Sequence, residues 1–329
     1  MISSLGIRSF ARAAIAAGLA LLIVPNAFGE DAKPKSPSHG TIRIAYQKNI
    51  FMTPMFVAMK KGWLKDALAK EGYDLDASVK VSGSGGVIST ALATGDLDAG
   101  QIGVGAALLA VSKGVALQIV ANTGAYGEGF VVKQDSPYKT MKDLKGKKVS
   151  IPSKGSMQDY VLRKALSING MTVADVDIVV VPEADMTQVL LTDQVAMVSG
   201  AEPSVSGVIR AGGRMLFTGQ DVWPNHENDT FVASTKLISE HPEAVKAIVD
   251  TLIRGVKFLQ DNPQEAQAIT AEATGLSDAV VKAAWPNVGR VPNARPDLAS
   301  IGDLAKLMQQ DGLLKSVDVN RAVNMTFTK

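Results

Sequence analysis

The feature that most constrains the fold is a repeated alternation of short apolar segments with longer amphipathic ones. The segment TIRIAY at 41–46 alternates apolar with polar or small residues, which predicts a strand. In the helix that is expected next, Thr53 can serve as the cap and Pro54 suits the first position. Further strands are predicted near 75–81, 97–102 and 116–121, with helices near 84–94 and 105–113. This α/β order predicts a mostly parallel sheet covered by helices, with functional loops at the carboxyl ends of its strands.

An internal repeat predicts two similar halves. ALATGDLDAGQIGVGAALLAVSKG at 91–114 aligns without gaps to VLLTDQVAMVSGAEPSVSGVIRAG at 189–212, although only three pairs are identical. The alternative is chance similarity between two segments of the same type. We expect two αβα lobes joined by two crossing strands, near 122–132 and 218–232. The first lobe is expected to comprise 41–125 and 229–329, where helices follow residue 235, and the second 126–228.

The amino terminus predicts export. Arg8 and Arg12 precede an apolar run at 13–24 that is short for a membrane span, so 1–29 reads as a signal peptide cleaved before Glu30. Residues 30–40 are expected to form a flexible leader. The chain contains no cysteine, which excludes disulfides and a lipoprotein anchor, so a freely diffusing periplasmic protein is expected. Its 34 basic and 32 acidic residues argue against a nucleic-acid partner.

Several motifs in the same order resemble one known family. GTIRIAYQ, the P-x-F-V-A-x-x-K-G pattern at 54–62, ALATGDLDAG at 91–100 and AEP at 201–203 are similar to the nitrate/sulfonate/taurine-binding (NitT/TauT, SsuA/Thi5-like) family of ABC-transporter periplasmic substrate-binding proteins. The resemblance implies a type II periplasmic-binding-protein fold, a small-molecule solute, and a permease with its ATPase as partners. One departure is LLTDQVAM, where Asp193 and Ala196 replace the family's usual glycine and aspartate, which questions the turn there.

Loops after the predicted strands supply the candidate binding residues. Serines and glycines before a helix can present backbone N–H groups to an anionic oxygen, although ordinary helix capping is the alternative. The resemblance implies that Gln47 faces the ligand. The residues expected to contact a ligand are Gln47, Asn49, Ser82, Ser84, Gly85, Gly105, Ala106, Tyr126, Ser153, Lys154, Gly155, Ser156, Glu202 and Trp223.

Charged residues in these loops indicate which charged groups the ligand could carry. Glu202 could pair with an ammonium or amino group, and Glu128 could do the same, whereas Lys154 could neutralise a sulfonate or carboxylate. A ligand with both kinds of group is therefore one hypothesis. The alternative is that the glutamates serve the hinge and Lys154 is solvated. Tyr126 and Trp223 could line apolar walls or pack in the core.

The expected function is capture of a small polar organic solute, sulfonate-like, taurine-like or a related anion, for an ABC importer. Alternatives are a binder of a pyrimidine precursor or aromatic acid and, against the signal peptide, a Thi5-like biosynthetic enzyme. The chain lacks a Gly-x-Ser-x-Gly motif, and its three histidines are scattered. We therefore expect no enzymatic activity, no cofactor and no metal, and we expect a monomer.

Overall fold

Ten strands make up two five-stranded β-sheets in the described part of the chain. The structure is a computed structural model, and it describes residues 40–79, 85–288, 291 and 293–329. The predicted signal peptide, nearly all of the leader, Ser82 and Ser84 lie outside the described residues. The strands are β1 (Gly40–Tyr46), β2 (Tyr73–Val79), β3 (Ala99–Gly103), β4 (Leu117–Ala125), β5 (Glu128–Lys133), β6 (Lys148–Ile151), β7 (Asp177–Val180), β8 (Met197–Ala201), β9 (Gly213–Thr218) and β10 (Glu227–Ser234).

Helices follow most strands, and only helices follow β10 in the described residues. Short 3-10 helices lie at Ile50–Met52, Met141–Leu144, Val173–Asp175, Glu183–Asp185 and Thr326–Thr328. The α-helices are α1 (Thr53–Lys60), α2 (Trp63–Lys70), α3 (Gly85–Thr94), α4 (Val104–Ser112), α5 (Met157–Ile168), α6 (Met186–Leu191), α7 (Ser204–Arg210), α8 (Gly219–Val222), α9 (Thr235–Glu240), α10 (Pro242–Asp261), α11 (Pro263–Thr274), α12 (Asp278–Val288), α13 (Leu298–Gln310) and α14 (Val319–Ala322).

The two sheets have the same topology. The strand order is β2-β1-β3-β10-β4 in the first sheet and β7-β6-β8-β5-β9 in the second. Three neighbouring strands are parallel in each sheet, and the fourth position holds an antiparallel strand, β10 or β5. That antiparallel strand directly follows a passage of the chain from the other sheet. The prediction of two similar α/β halves linked by two crossings is confirmed.

The internal repeat has a geometric counterpart. The repeated segments are offset by 98 positions, and β8 is displaced from β3 by the same 98 positions (Ala99 to Met197, Gly103 to Ala201). Gly95 and Asp193 occupy equivalent turn positions, with φ of +77° and +58°. Asp193 therefore adopts the left-handed conformation that glycine adopts more readily, and its carboxylate pairs with Lys133 at 2.9 Å. The turn is kept despite the substitution.

Buried side chains cover both faces of the first sheet. Ile44 and Phe231 pack in a cluster with Met55 of α1 and Leu252 of α10 on one face. Val232 packs in a second cluster with Leu304 of α13, and this cluster continues into the second sheet through residues such as Phe130. Since alternate residues of β10 serve opposite faces, this strand is buried on both sides.

Candidate functional site

A cleft of about 200 Å³ lies between loops that belong to the two sheets. Gly105 and Ala106, at the start of α4, line it from the first sheet. Gly155 and Ser156, directly before α5, line it from the second, and Asn228 of β10 also contributes. The four loop residues were predicted to bind a ligand, and the structure brings them together from distant parts of the sequence. A cleft between strand ends and helix starts is where α/β folds commonly place ligands.

A larger cavity, of about 440 Å³, lies elsewhere. It is lined by Tyr46, by residues of α1 such as Phe56 and by residues of α11 such as Glu272, all from the first-sheet half. An ion pair between Lys60 and Glu272 stands at its wall, with 2.6 Å between Nζ and Oε1. Because no residue of the second sheet lines this cavity, the smaller cleft is the better candidate site.

The second-sheet wall of the cleft has a fixed backbone. Ser156 caps α5 by accepting a hydrogen bond from the backbone N–H of Asp159 at 3.2 Å. The N–H of Gly155 donates to Oδ2 of Asp159 at 2.8 Å. Gly155 has a φ of +76°, and a side chain there would come within 2.8 Å of Leu313. Glycine is therefore required both by the backbone angle and by the close approach of Leu313.

A network of charged side chains links α5 to the segment after α13. Asp159 is buried, and its Oδ1 accepts from Nε of Arg163 at 2.8 Å. Nη1 of the same arginine donates to Asp311 at 3.0 Å. Lys164 lies 3.7 Å from Asp303 and 5.5 Å from the centre of the Trp223 ring. These contacts join α5 to α13, to the segment that follows α13 and to Trp223.

Gly85, at the start of α3, does not line the cleft but lies directly behind Ala106. An added side chain at Gly85 would lie 3.0 Å from Cβ of Ala106, so α3 and α4 begin in close contact. Two further candidates, Ser82 and Ser84, fall outside the described residues. Gly85 and Ala106 are thus neighbours, as expected for residues at one edge of the sheet.

Gln47 and Asn49 lie in the loop after β1. Asn49 Nδ2 donates to Gln47 Oε1 at 3.4 Å, and Asn49 Oδ1 accepts from the backbone N–H of Phe51 at 3.0 Å. Asn49 therefore caps the 3-10 helix at Ile50–Met52, which the sequence did not predict. Thr53, expected as a cap, is the first residue of α1. Neither Gln47 nor Asn49 lines the cleft.

Four other candidates lie away from the cleft lining. Ser153 and Lys154 are exposed. Tyr126 and Trp223 lie in the two crossing segments and are buried, so both contribute to the linkage between the sheets. The hydroxyl of Tyr126 donates to Oδ1 of Asn225 at 3.4 Å.

Glu202 is buried against its own helix and against α12. Its Oε2 accepts from the backbone N–H of Ser206 at 3.1 Å, and its Oε1 accepts from the Ser206 hydroxyl at 3.0 Å. Asn287 of α12 also donates to Oε1. Burial raises the pKa of Glu202 above its usual value, although these hydrogen bonds oppose the rise. Its carboxylate is thus occupied by bonds that join the second sheet to α12.

Glu128 and His226 form a buried pair between the two crossings. Glu128 is 2% exposed and His226 is 0% exposed, and Nε2 of the imidazole lies 2.6 Å from Oε2 of the carboxylate. Asn228 donates to the other carboxylate oxygen. Burial lowers the pKa of His226, but the charge and hydrogen bond of Glu128 outweigh this effect and raise the pKa above its usual value. Glu128 therefore holds the two crossings together.

Sequence reasoning missed three polar residues near the cleft. Asn228 and Tyr160 line it, and the buried hydroxyl of Tyr160 has no hydrogen-bond partner among the residues that the structure describes. Asp229, next to Asn228, is 3% exposed, and burial raises its pKa to about 7. The sequence did contain a signal for this region, the two acidic residues of ENDTF at 227–231. Acidic residues are uncommon in buried strands, so their presence in one suggests a functional role.

The sequence matches the NMT1-like family over residues 35–275, which is most of the chain. The chain belongs to the NMT1-like family. This NMT1-like protein is 27% identical over 270 residues to a Brucella abortus protein named only as a binding protein, covering 79% of this chain and 78% of the relative. It is also 27% identical over 303 residues to a Bacillus subtilis protein named for binding aliphatic sulfonates. That match covers 88% of this chain and 87% of the relative.

A solved structure shares the fold of this NMT1-like protein. The periplasmic aliphatic sulphonate binding protein SsuA from Escherichia coli matches with a TM-score of 0.77 and 22% identity, over 87% of this chain and 92% of SsuA. At that identity the likeness concerns the fold alone. The predicted type II periplasmic-binding-protein fold and the family resemblance are both confirmed.

Two further properties concern only the described residues of the NMT1-like protein. Within residues 40–79, 85–288, 291 and 293–329, no helix has the length and apolar character needed to cross a membrane. In the same part of the chain, His, Asp and Glu side chains form no group that could hold a metal ion.

Proposed function

We propose that this protein is the periplasmic substrate-binding component of an ABC importer and captures a small polar organic solute in the cleft between its sheets. The supporting observation is the lining of that cleft by Gly105 and Ala106 from one sheet and Gly155 and Ser156 from the other. Each pair lies at the beginning of a helix, where backbone N–H groups lack partners within the helix. A solute that contacts both walls favours their approach.

We propose that each sheet is the core of one lobe, the first comprising 41–125 and 229–329 and the second 126–228. The lobes then move about the crossings that contain Tyr126 and Trp223. A bound solute favours the closed arrangement by its contacts with both walls, because a ligand shifts an equilibrium toward the state that it binds better. Relatives named for binding sulfonates support a solute of this size and polarity.

Thermal unfolding of the mature protein tests solute binding. Taurine, alkanesulfonates, nitrate, pyrimidines and aromatic acids are each added, and the midpoint of unfolding is recorded. A solute at one hundred times its dissociation constant adds about 2.7 kcal/mol to the free energy of unfolding. The variant Ser156→Ala, combined with Ala106→Leu to fill the cleft, is expected to lose the shift. An absence of any shift across all solute classes contradicts the proposal.

Lobe closure is measured with spin labels, because the chain has no native cysteine that would be labelled. Lys154→Cys and Leu313→Cys place one label on each proposed lobe at exposed positions, and Leu313 is 44% exposed. The distance between the labels is expected to shorten on solute binding. The control pair Lys154→Cys and Ile168→Cys lies within one lobe and keeps its distance. If solute changes the label-to-label distance no more in the first pair than in the control pair, lobe closure is contradicted.

We further propose that the solute is released unchanged to a permease and its ATPase, and that the protein is a periplasmic monomer. Mass spectrometry of solute recovered after prolonged incubation is expected to show its original mass. Light scattering is expected to give the mass of one chain. Amino-terminal sequencing of the exported protein is expected to begin at Glu30. A modified solute supports an enzyme instead.

A further inference from the structure

The larger cavity, of about 440 Å³, is separate from the cleft, and among the described residues the two share no lining residue. Its walls come from the end of β1, from the loop after β1 and from two helices, α1 and α11. Its volume lies within the roughly 300–1,000 Å³ that is usual for small-molecule sites, whereas the cleft is smaller. The cavity is therefore large enough to hold a ligand of its own.

The two helices that form the walls are joined to each other beside the cavity. Oγ1 of Thr53 in α1 and Oγ1 of Thr270 in α11 lie 2.9 Å apart and share a buried hydrogen bond. Lys60 of α1 pairs with Glu272 of α11 at the cavity wall. These two contacts fix the spacing of the walls, and largely preformed walls are usual in small-molecule sites.

Apolar side chains make up most of the lining. Tyr46, Phe56 and Ile269 are 7%, 4% and 6% exposed, and they form the floor of the cavity. Met59 and Ala273 are half-buried and complete the apolar part of the lining. The rings of Tyr46 and Phe56 meet edge to face, with 5.9 Å between their centres. Because aromatic rings and methionine sulfur both interact favourably with a further aromatic ring, this lining suits a flat aromatic group.

The charged residues of the lining leave one positive charge at the rim. Lys48, Lys60 and Glu272 are all exposed. Nζ of Lys60 lies 2.6 Å from Oε1 of Glu272, so these two charges neutralise each other. Lys48 then supplies the net positive charge of the lining. An ammonium group beside an apolar floor is complementary to a ligand with an apolar body and one anionic group.

The geometry points to this cavity as a second ligand site, separate from the cleft, that binds an aromatic ring carrying one anionic group. The ring lies against Tyr46 and Phe56, and the anionic group lies near Lys48. This inference goes beyond the proposed function and does not depend on it, because the residues that line the cleft take no part in the second site.

Isothermal titration with 2-naphthoate and 2-naphthamide tests the inference. The two probes have the same ring system, and only the naphthoate is charged at neutral pH. Naphthoate is expected to bind about two- to fivefold more tightly than the amide, which is the range of an exposed ion pair. Acetate, which lacks the ring, is expected to give no heat of binding. If naphthoate does not bind, or binds no more tightly than the amide, the inference is overturned.

Two variants assign the binding to the cavity. Ala273→Leu fills the cavity from α11 and is expected to weaken naphthoate binding at least about tenfold. Lys48→Gln, in an exposed part of the loop after β1, is expected to remove the preference for naphthoate while the affinity for the amide stays within about twofold. Lys65→Gln, at an exposed position of α2 outside the lining, is the control and keeps both. Unchanged binding in both cavity variants overturns the assignment.

The variant with a filled cleft, Ser156→Ala with Ala106→Leu, separates the two sites. It is expected to bind 2-naphthoate as tightly as wild type, even though it is expected to lose the thermal shift with the transported solute. Loss of naphthoate binding in this variant, with normal binding in Ala273→Leu, places the probe in the cleft and overturns the inference. The proposed function is tested separately by the solute panel, so either proposal can fail without the other.

Discussion

The burial of Asp229 predicts that the free energy of unfolding depends on pH. Burial raises the pKa of Asp229 from the usual 3.8 to about 7. The native protein therefore keeps a proton on this side chain between about pH 4 and pH 7, whereas the unfolded chain releases it. Since the native state binds more protons than the unfolded state, the free energy of unfolding falls as pH rises through this interval.

The magnitude follows from the size of that rise. One pH unit corresponds to 1.36 kcal/mol, so about three units give a loss of roughly 4 kcal/mol above pH 7 and about 1.5 kcal/mol at pH 5. Asp229→Asn removes the titration and keeps the side-chain volume. The variant is expected to be close to wild type at pH 4 and more stable by several kcal/mol at pH 8.

Urea unfolding, followed by circular dichroism from pH 4 to pH 8, measures the difference between the two proteins. Glu227, whose burial raises its pKa to about 8, and the Glu128–His226 pair titrate in both proteins, so their contributions largely cancel in the difference. Asp135→Asn controls for the loss of a charge at an exposed position. A constant difference between wild type and Asp229→Asn across the whole pH range refutes the reasoning.

Three other changes have defined outcomes. His226→Leu leaves Glu128 without its buried partner and is expected to lower the free energy of unfolding by about 3–5 kcal/mol in urea titrations. A variant as stable as wild type would contradict a stabilising role for the Glu128–His226 pair. Gly155→Val is expected to weaken solute binding, measured by calorimetry, because the valine side chain meets Leu313. Adding Leu313→Ala removes that contact and is expected to recover part of the affinity. If the affinity does not recover, the steric explanation is wrong. Arg163→Leu leaves the buried carboxylate of Asp159 without its arginine and is expected to lower the thermal unfolding midpoint by several degrees. An unchanged midpoint would show that the Arg163–Asp159 pair does not stabilise the protein.

Local pattern was enough to predict the architecture. Alternation of apolar residues located the strands, and the repeat at 91–114 and 189–212 revealed the equivalent sheets, because each of these signals is contained in short stretches of sequence. The 3-10 helix at Ile50–Met52 was missed because its three apolar residues carry no period, and its start depends on the Asn49 side chain.

The site was harder to predict than the fold because its members meet only in three dimensions. The turns with Gly105 and Gly155 could be proposed from their position after strands. The contact of Glu128 with His226 spans 98 positions and has no sequence signature. Asp229 could not be recognised as buried until β10 was known to lie between β3 and β4.

The position of β10 has a consequence for how the chain folds. Its residues complete the first sheet between β3 and β4, yet they are made about one hundred residues after β4 ends, whereas all five strands of the second sheet lie in one continuous stretch, 128–218. Contacts between nearby residues form faster than distant ones. The half that the ribosome makes second is therefore expected to become compact first, and the half that it makes first must wait for β10, the fourth strand of its sheet.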